Sequence, residues 1–176
     1  SSGRCGCKRR GLSTQETVTL FFYETKLGRI AIAGNGSALT GLFFEAALET
    51  PKFVAIAAGA EIAEDALLRE AYRQLASYLE KKLKVFDLPL DPAGTPFMKS
   101  VWAAVSAIPW GATASYGDIA RAIGKPGASR AIGMANNRNP LPIFIPCHRV
   151  IGASGSLTGY AGGIEMKARL LELEDG

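Results

Sequence analysis

The segment "LPLDPAG", Leu88–Gly94, limits what this chain can fold into more than any other stretch. Two prolines and a glycine within seven residues stop a helix and deny a central strand its amide donors, so the boundary between two regions is expected here. Before it, Val18–Tyr23, Arg29–Ala33 and Ala38–Phe44 are short β-branched and aromatic runs, with a hairpin signal at Asn35-Gly36. Asp65 can then cap a helix in which Leu68, Tyr72, Leu75, Leu79 and Leu83 recur at three- and four-residue steps. Residues 18–84 thus read as a small antiparallel sheet packed by one helix.

Beyond the break the punctuation is helical. Thr95 caps and Pro96 opens a helix with Phe97, Val101, Trp102, Val105 and Ile108 on one face, and Pro109-Trp110-Gly111 ends it. Ser115 or Thr113 caps a second helix running through Ile123. The turn Gly124–Gly127 leads to a third, "ASRAIGMANN", and two short helices about a tight turn form a helix-turn-helix. An apolar segment follows to Cys147, then a loop with glycine at 152, 155, 159, 162 and 163, and a last helix over Glu165–Leu173. The expected class is α+β, with a flexible tail over 1–15, a sheet-and-helix domain over 16–91 and a mostly helical, winged-helix-like domain over 92–176.

With 176 residues and 48% hydrophobic content the chain can bury a full core. No apolar run reaches transmembrane length, and "SSGRCGCKRR" lacks the apolar centre of a signal peptide, so no membrane association and an intracellular location, cytoplasm or nucleoid, are expected. Cys5 and Cys7 have no nearby partners to complete a zinc site, and neither metal nor cofactor is expected. Charge is uneven. Residues 11–91 hold eight Lys/Arg against eleven Asp/Glu, a net of −3, whereas 92–170 hold eight against two, a net of +6. That asymmetry turns the second half toward a polyanion.

Two features stand out in the second half. Cys147 lies beside the single histidine, His148. A thiol attacks as thiolate and an imidazole can generate one, but neighbours on a strand face opposite ways, and a cysteine in an apolar run is commonly inert. The third helix carries Ala128, Ser129, Ala131 and Gly133 around a lone Arg130, whereas a major-groove reader normally presents several long polar side chains. Small residues allow close backbone approach, either to a partner molecule or to another helix.

Taken together, "GTPFMKSVW", "IPWGATASYGDIA", "SRAIGMANNRNP", "NPLPIFIPCHRVIG" and "GSLTGYAGGI" resemble the O6-alkylguanine-DNA alkyltransferases over nearly the whole chain. The resemblance implies irreversible transfer of an alkyl group from O6-alkylguanine in double-stranded DNA to Cys147, in a single turnover without cofactor. O4-alkylthymine is a further candidate substrate. It implies that the small-residue helix docks in the minor groove, with Ala128, Ser129, Ala131 and Gly133 against the backbone. Arg130 then fills the gap left by an extruded nucleotide, and Tyr116 crowds the target phosphate. Tyr160, Ala161 and the backbone around Val150 would hold the base. His148 would take the thiol proton through a water, with Glu174, chosen over Glu172 by spacing, orienting it, and Asn139 would tie the active-site loop to the helix-turn-helix. The alkylated thiol would crowd Asn139 and a wall near Met134. A monomer, cooperative on DNA, is expected. The competing readings are a lesion-binding protein without transfer and a Cys–His hydrolase.

Overall fold

The computed structural model describes residues 16–176; the expected 1–15 tail, with Cys5 and Cys7, lies outside the described residues. Strands β1 (Thr19–Thr25) and β2 (Gly28–Gly34) pair antiparallel through a two-residue loop, with Thr25 opposite Gly28. Strand β3 (Leu39–Phe44) pairs with β2 through a longer connection, where Asn35 Oδ1 accepts from the Ser37 and Ala38 amides at 3.0 and 2.9 Å. Asparagine therefore acts here through its side chain, and the register slips at Ala33/Gly34.

Alternation along β2 divides two cores. Ile30 and Ile32 face helix α2 (Ala66–Leu79), while Ala31 and Ala33 join Leu20 and Phe53 beneath helix α1 (Pro51–Ala58). Neither α1 nor β4 (Glu61–Ile62) was expected. β4 pairs parallel with β1, so the sheet, in order β3-β2-β1-β4, is antiparallel except at one edge. Asp65 caps α2 by accepting from the Leu68 amide at 2.8 Å. The helix stops before Leu83, however, because Lys81 turns to φ +62.

In the second half Thr95 caps α3 (Pro96–Ser106), and Ser115 rather than Thr113 caps α4 (Tyr116–Ala122) in a reciprocal box with Asp118. Helix α5 (Ser129–Asn137) packs on both, and the buried Trp102 indole donates to the Ala135 carbonyl at 2.9 Å. Two short strands, β5 (Ala114–Ser115) and β6 (Val150–Ile151), pair in parallel and bring the segment after Cys147 against the start of α4. Helix α6 (Ile164–Asp175) runs past Leu173, which places Glu174 in its final turn.

The Pro-rich break is a strap and not a gap. Leu39 donates to the Pro89 carbonyl and Asp91 donates back to the Leu39 carbonyl, each at 2.8 Å. One apolar cluster then runs from Ile32, Leu42 and Leu75 through Trp102 and Val105 to Leu141 and Leu170, so both halves close on a shared core.

Candidate active site

Between Asn139 and Val150 the backbone leaves regular structure, and its geometry is held by side chains. Asn139 donates to the Ile145 carbonyl at 3.0 Å and accepts from the Leu141 amide at 2.9 Å, pinning both ends of a tight loop. At its apex Ile143, buried and β-branched, sits at φ +74, a conformation costing on the order of 1–3 kcal/mol that only surrounding contacts sustain. Pro146 then leads into a single 3-10 turn, Cys147–Arg149. A 3-10 turn sets consecutive side chains about 120° apart, so Cys147 and His148 are not forced to opposite faces as they would be on a strand.

The turn is deeply buried, with Cys147 2% exposed and His148 fully covered. His148 Nε2 lies 2.7 Å from Glu174 Oε1. Arg149 grips the same carboxylate at both oxygens, Nε to Oε2 at 2.9 Å and Nη2 to Oε1 at 2.8 Å, and donates through Nη1 to the Ile108 carbonyl at 2.6 Å. Tyr78, from α2, donates to Glu174 Oε1 at 2.6 Å. Burial alone would raise the Glu174 carboxyl, but the bonds from His148, Arg149 and Tyr78 outweigh it and hold it down at about 2. An ionised carboxylate facing Nε2 fixes that nitrogen as the protonated one, leaving Nδ1 with its lone pair.

Burial acts oppositely on the other two groups. It pushes the Cys147 thiol up to about 11, against the smaller pull of an Asn139 hydrogen bond and the Lys167 charge, and it lowers the His148 imidazole despite Glu174. At neutral pH the site holds a thiol and a neutral base. With burial raising the thiol, the protonated form is favoured at neutral pH, and a base near Cys147 has a proton to accept. Among the described residues, three buried side-chain atoms lack a hydrogen-bond partner: Asn136 Oδ1, His148 Nδ1 and Tyr160 Oη. All three belong to this neighbourhood. Asn136 Nδ2 donates to the Cys147 carbonyl at 3.2 Å, and the His148 and Tyr160 rings meet edge to face at 6.5 Å. These three buried polar atoms, unmatched by any protein group, thus gather around Cys147.

The outer face of α5 presents Ser129, Arg130 and Ala131 to solvent. Arg130 shares an open groove with Tyr116, Ser129, Gly133, Asn137, Thr158 and Gly159. Tyr116 reaches Thr158 Oγ1 at 3.1 Å, and Gly159, at φ +47, brings the loop close to the Asn137 side chain, where a Cβ would force that amide to shift. Ala128 is half-buried at the N-cap, Val150 is fully buried on β6, and Ala161 is exposed beside the buried Tyr160. Glu172 points outward, whereas Glu174 is 4% exposed. Among the described residues no group of acidic, cysteine and histidine side chains is arranged to hold a metal ion.

Two family models match the chain: the 6-O-methylguanine DNA methyltransferase DNA-binding domain over residues 96–176, and the ribonuclease-like domain of the same family over 20–92. The chain belongs to the 6-O-methylguanine DNA methyltransferase family. A methylated-DNA–protein-cysteine methyltransferase of Methanosarcina barkeri is 51% identical over 152 residues, covering 86% of this chain and 94% of the relative. The constitutive Bacillus subtilis protein of that name is 47% identical, covering 86% and 92%. The Mycobacterium tuberculosis O6-methylguanine methyltransferase structure superposes with a TM-score of 0.81 at 45% identity, covering 90% and 93% of the two chains. The same organism's OGT in complex with DNA gives 0.79 at 44%, covering 89% and 92%.

Within this family member the sequence-derived residues fall into two sets. Cys147, His148, Glu174, Asn139, Val150 and Tyr160 meet in the buried site, and Tyr116, Arg130, Ser129 and Gly133 line the outer groove. Met134 belongs to neither. It is 58% exposed on α5, and the residue against the Cys147 backbone is Asn136, two positions on and on the inner face of the helix. Sequence reasoning also missed Tyr78 and Lys167. The fully buried Lys167 donates to the Val150 and Thr158 carbonyls at 2.6 and 2.9 Å, tying the glycine-rich loop to β6. Because Lys167 and Arg149 are buried, two of the eight basic residues counted over 92–170 do not contribute to surface charge.

Proposed function

We propose that this protein repairs DNA by moving the alkyl group of O6-alkylguanine, and by the same chemistry O4-alkylthymine, onto Cys147. The observation that carries the reading is the buried Cys147–His148 turn with Glu174 held against His148 Nε2 at 2.7 Å and gripped at both oxygens by Arg149. A neutral thiol adjoins a neutral imidazole whose Nδ1 is unpartnered and whose Nε2 proton is committed to an ionised Glu174. In the transfer the Sγ–C bond forms as the O6–C bond breaks. The thiol proton passes toward His148 Nδ1, the departing guanine anion takes up one proton from water, and His148 gives the proton it accepted back to water, so that thiol and alkylguanine become thioether and neutral guanine with no net change in protons. A thioether has no leaving group that water can displace, so each molecule acts once.

With Cys147 2% exposed, a base inside a duplex cannot reach it, and extrusion of the nucleotide is part of the proposal. The small face of α5 suits close approach to the DNA backbone, Arg130 projects from it to occupy the vacated stack, and Tyr116 flanks the groove. A DNA complex of the M. tuberculosis relative supports a DNA partner for this chain. The protein is proposed to act as a monomer in binding cooperatively along DNA. Mixing it with a large excess of O6-methylguanine duplex and weighing it intact tests the reading. One methyl per protein on Cys147, none on Cys147→Ser and a plateau in demethylated product are expected. Product that keeps accumulating favours the hydrolase, and binding without mass gain favours a lesion sensor.

A further inference from the structure

Glu174 draws its hydrogen bonds from both halves of the chain. His148 and Arg149 reach it from the 3-10 turn, but Tyr78 reaches it from α2, on the far side of the Pro-rich strap and 96 residues away in sequence. The phenol is fully buried between the rings of Phe86, at 5.2 Å, and Trp110, at 5.1 Å, which hold the ring and so the position of its hydroxyl oxygen. It shares Oε1 with His148 Nε2, and the hydroxyl oxygen stands 3.4 Å from that nitrogen. We infer that Tyr78 is a positioning residue for alkyl transfer, tuning through Glu174 the basicity and tautomer of His148 from the N-terminal half of the chain.

The inference rests on the reading of Cys147 as acceptor and His148 as its base. A hydroxyl donated to a carboxylate oxygen withdraws negative charge from it, so less remains to favour an imidazolium at Nε2. The other groups facing His148 are Cys147 and Arg149 in its own turn, Lys167 on α6 and Tyr160 on the glycine-rich loop, and only Arg149 shares the carboxylate. Arg149 keeps its two-point grip when the phenol hydroxyl is removed, so Glu174 stays in place. The change at His148 is then electronic. Phenylalanine preserves the ring contacts to Phe86 and Trp110, leaving only the donor missing.

The expected direction follows. In Tyr78→Phe the carboxylate becomes more basic and the imidazolium is favoured, so the His148 pKa rises and the neutral base survives only at higher pH. The acid limb of the rate of benzyl transfer from free O6-benzylguanine should move up by about one unit, roughly a tenfold slower reaction at a fixed pH on that limb. Because His148 is the single histidine, nitrogen-15 spectra of histidine-labelled protein read its tautomer and pKa without ambiguity. The wild type should show the Nε2–H form, and the variant an upward-shifted titration. A far-ultraviolet spectrum reports whether the variant folds, and should it not, a wild type in the Nδ1–H form would by itself overturn the role, since the Tyr78–Glu174–His148 arrangement requires Nε2–H. An unchanged imidazole titration and an unchanged acid limb in a folded, reactive variant would overturn the role of Tyr78. A wild type that gains no benzyl mass would instead overturn the transfer reading itself, a distinct outcome.

Discussion

Glu174→Gln keeps the size of the side chain and removes the charge on which three residues converge. Oε1 receives Tyr78 and Arg149 and faces His148, while Oε2 receives Arg149 Nε, so every position around the carboxylate is occupied by a donor. Glutamine offers one oxygen, and its amide nitrogen must turn an N–H toward another donor. Breaking one partner of a buried ion pair typically costs about 3–5 kcal/mol. The bond from Arg149 Nη1 to the Ile108 carbonyl survives and partly shelters the guanidinium, which places the expectation at the lower end. The carboxyl leads to a similar figure independently. A shift from 4.5 to about 2 corresponds to about 3 kcal/mol of preference for the ionised form in the folded protein.

The variant should therefore unfold with about 3 kcal/mol less stability, a fall in Tm of roughly 6–12 °C for a chain of this size. Because the folded carboxyl titrates below the unfolded one, this contribution is complete above about pH 4.5 and disappears as pH falls toward 2. Urea midpoints for both proteins across that range should show a wide gap at neutral pH that narrows in acid. A gap under about 1 kcal/mol at pH 7, or one that persists unchanged into acid, would refute the argument that the ionised carboxylate holds the site together.

Arg130→Ala should slow repair in duplex DNA far more than reaction with free O6-benzylguanine, since extrusion costs a few kcal/mol in a duplex and nothing for a free base; equal losses would move Arg130 into the pocket. Lys167→Met should cost about 1–3 kcal/mol through the unmet Val150 and Thr158 carbonyls. The same change should raise the Cys147 thiol further by removing a neighbouring positive charge, read as an alkaline move of the thiolate absorbance.

Much of the fold was legible because it follows from local signals. Thr95-Pro96, Ser115 with Asp118 and Asp65 each cap a helix through bonds spanning three residues, and such spacing is written in the sequence. Helix α1 was missed because "FVAIAA" is apolar without a helical stripe, being covered on one side by the sheet and left with Val54 half-exposed on the other. The strap's contacts were not legible for a related reason. Proline and glycine do interrupt regular structure at Leu88–Gly94, but interruption does not imply separation when the backbone still exchanges hydrogen bonds with β3.

The site divides along the same line. Cys147, His148, Asn139 and Arg130 sit in compact motifs whose residue types carry their chemistry with them. Tyr78 and Lys167 lie in amphipathic helices where a tyrosine at a core position reads as packing and a lysine as solvent-facing. Their polar ends find partners only after α2 and α6 have packed against the 3-10 turn. Residues of this kind have a physical signature that periodicity cannot carry: a buried polar atom must be matched, and its match can come from anywhere in the chain. The helical stripe that buries Tyr78 for its ring thus also commits its hydroxyl to the one carboxylate within reach. In this way the packing of the N-terminal half comes to bear on the protonation of a histidine in the other.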